Sequence, residues 1–192
     1  FSPIETRENF VKNSGTFKLI MISRLEPVKN IEGVLNVVKR LRAEGYDAQL
    51  SIAGTGSLED ELKNRVEKLE IKESVNFLGM IIDPYFPLLN ADLYVLNSHS
   101  EGFSNSLVEA MYSGTPSLST DVGAAPEIIQ DGVNGFVVPV NDEEALYKKL
   151  NEIIRLSEIE RNEIGKKGKE SIIQNFSLEK HMQLLMKMYA KK

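Results

Sequence analysis

The chain has no cysteine among its 192 residues, which excludes a disulfide framework and any thiolate-bound metal. Basic residues are the minority charge: 23 Lys and Arg stand against 28 Asp and Glu, for a formal charge of −5. A nucleic-acid platform needs a net basic face, so no nucleic-acid partner is expected. A small anionic ligand is still allowed, because a pair of well-placed cations can act inside an acidic protein. No apolar run approaches the ~18–20 residues of a membrane span, and no signal peptide is visible. No pair of histidines or carboxylates has metal-ligand spacing, so no metal site is expected. An initiator methionine is missing as well. The chain opens on Phe1-Ser2-Pro3, which reads as a fragment of a longer protein, and the cysteine-free composition fits a cytoplasmic one.

What is present suits one globular domain: 42% of the residues are apolar and 27% charged. Short apolar runs alternate with longer amphipathic segments. Residues 17–23 (FKLIMIS) read as a buried strand, and 30–44 as a helix with Ile31, Val34, Leu35, Val38 and Leu41 at helical spacing and Gly45 as its stop. Strands are predicted at 48–53, 75–78, 92–96, 116–120 and 136–138, with helices at 58–69, 84–90, 106–113, 125–130, 142–156 and 157–175. Ser177 is predicted to cap a terminal helix reaching Tyr189. Strands that alternate with helices make parallel βαβ units with right-handed crossovers. The fold expected is α/β: a Rossmann-like, doubly wound parallel sheet of about six strands, in one domain over residues 1–192. Ligands of such a sheet sit outside the carboxyl ends of its strands.

Four strand exits carry unusual residues. Arg24 and Lys29 follow the first strand on a turn stiffened by Pro27; they could clamp a diphosphate, or be two solvated surface charges. Gly54-Thr55-Gly56 follows the second. The pair would let backbone approach a ligand, yet it lacks the third glycine of the dinucleotide fingerprint, and a plain strand-to-helix turn explains it as well. The third exit, residues 98–109 (SHSEGFSNSLVE), sets Glu101 before a helix and Glu109 in its early turns, with Ser104 and Asn105 as cap candidates. Free N–H groups at such a helix start favour an anion, and carboxylates are acceptor-only groups suited to sugar hydroxyls. Together these fit a sugar nucleotide better than a bare phosphate, which the acids would repel. At the fourth exit, Gly123 calls for an unusual backbone angle or a close approach. The segments Asp131-Gly132 and Asn134-Gly135 look like ordinary turns. His99 stands at a strand end with a structural role expected, and His181 is expected on the terminal helix.

Taken in this order, Arg24…Lys29, Gly54-x-Gly56, the VNFLG strand of residues 75–79, Glu101-x7-Glu109 and the Gly123…Glu127…Asp131-Gly132…Asn134-Gly135 segment resemble glycosyltransferase family 4. Those enzymes have the GT-B fold, and the resemblance spans essentially the whole chain but only the C-terminal half of such an enzyme. It implies a retaining transferase that moves a sugar from a nucleotide-diphosphate sugar to an acceptor hydroxyl, in polysaccharide or glycolipid synthesis. Arg24 and Lys29 match the pair that holds the donor diphosphate, and Glu101 the acid that contacts the donor sugar; these three are the expected catalytic residues. Glu109 matches the acid that grips the ribose. Gly102, Phe103, Ser104, Asn105, Ser106 and Leu107 match the stretch facing sugar and phosphates, Gly79, Met80 and Ile81 the loop along the base, and Gly54 is counted with the donor contacts.

The resemblance further implies no cofactor and no strict metal requirement. It assigns the acceptor, a sugar or lipid-linked saccharide, to an N-terminal domain outside this chain, without which transfer is expected to fail. The full-length enzyme could then sit peripherally on the inner face of a membrane. Where many relatives have glycine, this chain has Ser23, Asn30 and Ala124. Two other readings are a sugar-nucleotide 2-epimerase of the same fold and a non-catalytic nucleotide-binding module. The cluster around Glu101 and Glu109 favours transfer over the first, and the presence of all four charged residues counts against the second.

Overall fold

A computed structural model of the protein describes residues 15–176. Six strands, β1 (Phe17–Ile22), β2 (Ala48–Ala53), β3 (Val75–Gly79), β4 (Leu93–Leu96), β5 (Ser117–Thr120) and β6 (Phe136–Val138), form one sheet in the order β3-β2-β1-β4-β5-β6. Every pairing is parallel. The helices are α1 (Ile31–Ala43), α2 (Glu59–Lys68), α3 (Tyr85–Leu89), α4 (Asn105–Ser113), α5 (Ala125–Ile128), α6 (Glu143–Arg155) and α7 (Glu158–Phe176), with 3-10 turns at Pro27–Lys29 and Lys72–Ser74.

The doubly wound architecture follows from strands whose two faces are both apolar. Leu19 and Met21 of β1 point into a core with α1, α2 and α6, while Ile20 joins a second core with Leu107 and Met111 of α4 and Ile172 of α7. In β4 the same alternation sends Leu93 and Val95 to the first core and Tyr94 and Leu96 to the second. Successive strand residues face opposite sides, so a strand covered by helices twice must be apolar throughout. Strand order reverses its direction of growth between β1 and β4, and the crevice outside their carboxyl ends is the topological switch point.

The strands and helices predicted for residues 17–175 are all present, with ends shifted by a few residues. The predicted start of α1 at residue 30 is corrected to Ile31, because Asn30 is held at φ 44 in the left-handed region. Asparagine tolerates that conformation better than other side-chain-bearing residues, and here it separates the 3-10 turn from the helix. Asp92, expected inside a strand, precedes β4; it is buried, accepts the Lys18 N–H at 2.8 Å and lies 3.8 Å from Arg161. The segment at 131–135 is more than an ordinary turn. Asn134 accepts the Gln130 N–H at 2.7 Å and donates to the Ile128 carbonyl at 3.1 Å, while Asp131 accepts the Val137 N–H at 2.9 Å. The predicted terminal helix from Ser177, and His181 within it, lie outside the described residues. No helix among the described residues is long and apolar enough to cross a membrane.

Two glycines in α7 set how closely that helix packs. A Cβ at Gly165 would fall 2.1 Å from the Gly114 carbonyl oxygen, and one at Gly168 would fall 2.8 Å from that of Asn134. Intrinsic propensity would make alanine better than glycine in a helix by about 1 kcal/mol. Contact with fixed backbone reverses the sign: Gly165→Ala is expected to destabilise the chain by at least ~2 kcal/mol, read as a lower urea midpoint at unchanged slope.

Candidate functional site

The exits of β1 and β4 meet at the switch point and are bound to one another. The Asn97 amide donates to the Asn30 carbonyl at 2.9 Å, and the His99 N–H donates to the Val28 carbonyl at 2.8 Å. His99 thus acts through its backbone, while its residue surface is exposed. Across this join, Lys29 Nζ lies 2.5 Å from Glu101 Oε1, with both side chains mostly buried at 15% and 13% exposure. Ser98 donates its hydroxyl to the same oxygen at 2.7 Å. Arg24, by contrast, is exposed and forms no ion pair among the described residues.

Glycine permits these loops to lie against each other. At Gly54, with φ +135, a Cβ would sit 1.9 Å from the Ser23 carbonyl oxygen. At Gly56 it would meet the Leu25 backbone from 2.4 Å. On the Cβ side of Gly54, the turn that bears Arg24 lies in backbone contact. Leu25 N–H donates to the Thr55 carbonyl at 2.9 Å, and Glu26 accepts the Ser57 N–H and hydroxyl at 3.1 and 2.8 Å. Those two bonds from Ser57, and after them the charge of Arg24, hold the Glu26 pKa below the usual carboxylate range. Gly123 does the same on the other side. At φ +53, its Cβ would be 2.2 Å from the Gly102 carbonyl oxygen and 2.6 Å from that of Glu101.

Helix α4 begins where the sequence predicts a cap. Ser104 is its N-cap, with extended backbone, and its hydroxyl accepts the Leu107 N–H at 3.3 Å. The N–H groups of Asn105 and Ser106, the first helical positions, have no intrahelical acceptor. Buried Tyr94 shares a 2.8 Å hydrogen bond with the Ser106 hydroxyl, and burial pushes its phenol pKa up. Glu109 lies in the second turn of α4; its carboxyl group has no hydrogen bond or ion pair among the described residues, and partial loss of water raises its pKa. Phe103 is 51% and Met80 78% exposed, Gly79 stands at φ +66 with open space around it, and Ile81 is half-buried.

The crevice therefore gathers Lys29, Glu101 and the α4 N-terminus, joined through β1 and β4. Arg24 is borne on the β1 exit beside them, and Gly79, Met80 and Ile81 on the exit of β3 two strands away. Sequence reading missed roles for Ser98, Asn97 and Tyr94. The signal available was slight: two small polar residues ending an apolar strand, three and four residues before an acid.

Comparison with known proteins follows this geometry. The family described as "Glycosyl transferases group 1" matches residues 4–171. The chain is 33% identical over 162 residues to N-acetyl-alpha-D-glucosaminyl L-malate synthase of Bacillus anthracis, covering 84% of this chain and 42% of that protein. It is 28% identical over 184 residues to poly(ribitol-phosphate) alpha-N-acetylglucosaminyltransferase of Staphylococcus aureus, covering 92% and 37%. The chain thus spans less than half the length of these curated relatives. Among solved structures, Anabaena Alr3699/HepE in complex with UDP superposes with TM-score 0.84 at 23% identity, covering 93% of this chain and 50% of that one. The C-terminal domain of the group 1 glycosyl transferase LpcC from Francisella tularensis superposes with TM-score 0.75 at 22% identity, covering 91% and 99%.

The raised pKa of Glu109 has a consequence for stability. The folded chain holds that proton more tightly than the unfolded chain, so this group lowers stability as pH rises through the carboxylate range. Glu109→Gln is expected to raise the thermal midpoint at neutral pH, and the gain should vanish in acid, where both side chains are neutral. Midpoints measured across a pH series check this.

Proposed function

The chain belongs to the group 1 glycosyltransferases, and on that premise we propose that it is the donor-binding half of a retaining sugar transferase. In this reading the donor is a nucleotide-diphosphate sugar, and its diphosphate lies between Lys29, Arg24 and the first N–H groups of α4. Glu109 takes the ribose hydroxyls, Glu101 the transferred sugar, and the Gly79–Ile81 turn runs along the base. The rest of the longer protein supplies the acceptor site, and the isolated half does not transfer.

The observation that carries the reading is the 2.5 Å contact between Lys29 and Glu101, which sets a cation and an acceptor-only group side by side at the switch point. A cation alone would suit any phosphate, and an acid alone would repel one. A ligand that satisfies both has anionic and hydroxyl-rich parts joined closely, as a sugar diphosphate does. During transfer the bond from the anomeric carbon to the diphosphate oxygen breaks, and an acceptor hydroxyl oxygen bonds to that carbon on the same face, its proton passing to the departing diphosphate. Charge grows on the departing diphosphate. Lys29, Arg24 and the α4 N–H groups offset it, with less reorganisation than water would require. No divalent ion is needed for that neutralisation.

Thermal unfolding with UDP, GDP and ADP tests the reading. One of them should stabilise the chain by about 2.7 kcal/mol at a hundredfold excess over its dissociation constant. Arg24→Ala should abolish that shift and leave the unliganded midpoint nearly unchanged, because Arg24 is exposed and forms no ion pair among the described residues. Absence of any shift at millimolar nucleotide would refute donor binding by this chain.

A further inference from the structure

The carboxylate of Glu101 is loaded unevenly. Its Oε1 accepts both Lys29 Nζ at 2.5 Å and the Ser98 hydroxyl at 2.7 Å, whereas Oε2 has no partner among the described residues. Ser98 is wholly buried at 0% exposure, and its own carbonyl accepts the Thr120 hydroxyl of β5 at 2.7 Å. Its position is therefore set by two neighbouring strands before any ligand arrives. Glu101 has no such support from regular structure, since it stands in the loop between β4 and α4, next to Gly102.

A glutamate's terminal torsion is broad and roughly two-fold, so a single contact with a lysine does not decide which oxygen faces which way. A lysine ammonium is a mobile point charge on a flexible stem and would follow either oxygen. The second, rigidly held donor removes that freedom. We propose that Ser98 is a positioning residue for sugar recognition: by occupying Oε1 together with Lys29, it reserves Glu101 Oε2 as the acceptor for hydroxyls of the donor's sugar. This rests on the donor-site reading given above and assigns Ser98 no contact with the ligand. It divides recognition into two separable parts, a diphosphate part that does not involve Ser98 and a sugar part that does.

The test is a calorimetric titration of the chain with UDP, GDP and ADP and with UDP-glucose, UDP-N-acetylglucosamine, GDP-mannose and ADP-glucose. The wild type first identifies its nucleotide and the sugar conjugate it binds more tightly. Ser98→Ala should then bind that conjugate roughly tenfold more weakly, the loss typical of one hydrogen bond to a charged group. Its affinity for the nucleoside diphosphate should stay within about twofold, a split that a general loosening of the fold would not produce. Ser98→Thr, which keeps the hydroxyl, should restore the preference. In a Glu101→Gln background the Ser98→Ala change should have little further effect, because the two act as one unit. Ser98→Cys, close in volume and a weaker donor, replaces the alanine variant if that one loses cooperative unfolding. Equal losses for diphosphate and conjugate, additive losses with Glu101→Gln, or an unchanged sugar preference each overturn the proposal. A wild type that binds no nucleotide refutes the donor-site reading itself, and a wild type that binds diphosphate and conjugate equally refutes the sugar role of Glu101 alone.

Discussion

The exit loops of β1, β2, β4 and β5 lie backbone against backbone, and the geometry of the site depends on that contact. Where Gly54 meets Ser23, or Gly123 meets Glu101 and Gly102, the distances from a hypothetical Cβ to carbonyl oxygens are near 2 Å, at 1.9 and 2.2 Å. No side chain fits there. The loops are thereby locked to their neighbours, and their charged residues stand on backbone that cannot drift. A cation or a carboxylate on a free loop would lose conformational entropy on meeting a ligand; here most of that loss is taken during folding.

Against this fixed backbone, the electrostatics of the crevice are deliberately unbalanced. Lys29 and Glu101 neutralise one another, and Ser98 tightens the pair. Among the described residues Arg24 and Glu109 have no such partners, and the raised pKa of Glu109 means that its charge is carried at some cost to stability. Unpaired charges of both signs outside the carboxyl ends of the central strands are a familiar trade of stability for function.

Much of this was legible in the sequence. The alternation of short apolar runs with amphipathic segments gave the strand and helix order, and the doubly wound rule pointed to the strand exits. Arg24, Lys29, Glu101 and Glu109 stood out because their residue types are unusual at such turns, and Ser104 because it precedes a helix. Other features were hidden for physical reasons. Gly54-Thr55-Gly56 reads locally as a turn or a ligand approach, and only the path of β1 shows that a second loop lies in backbone contact with it. Ser98 reads as one more polar residue after an apolar strand, since nothing local says that its hydroxyl reaches the acid three positions on.

The sequence by itself determined the class of the fold, the location of the crevice and the inventory of charges at its rim, because periodicity and residue type act over a few neighbours. It also carried a resemblance to glycosyltransferases, with which membership of the group 1 family agrees. Tertiary structure alone decided which charges are paired. Lys29 and Glu101 are 72 positions apart, and only the reversal of strand order between β1 and β4 brings them together. Among the described residues, Arg24 is exposed without an ion pair and one oxygen of Glu101 has no partner. Pairing over such separations depends on sub-ångström loop placement, which close-packed glycines fix and local sequence does not encode.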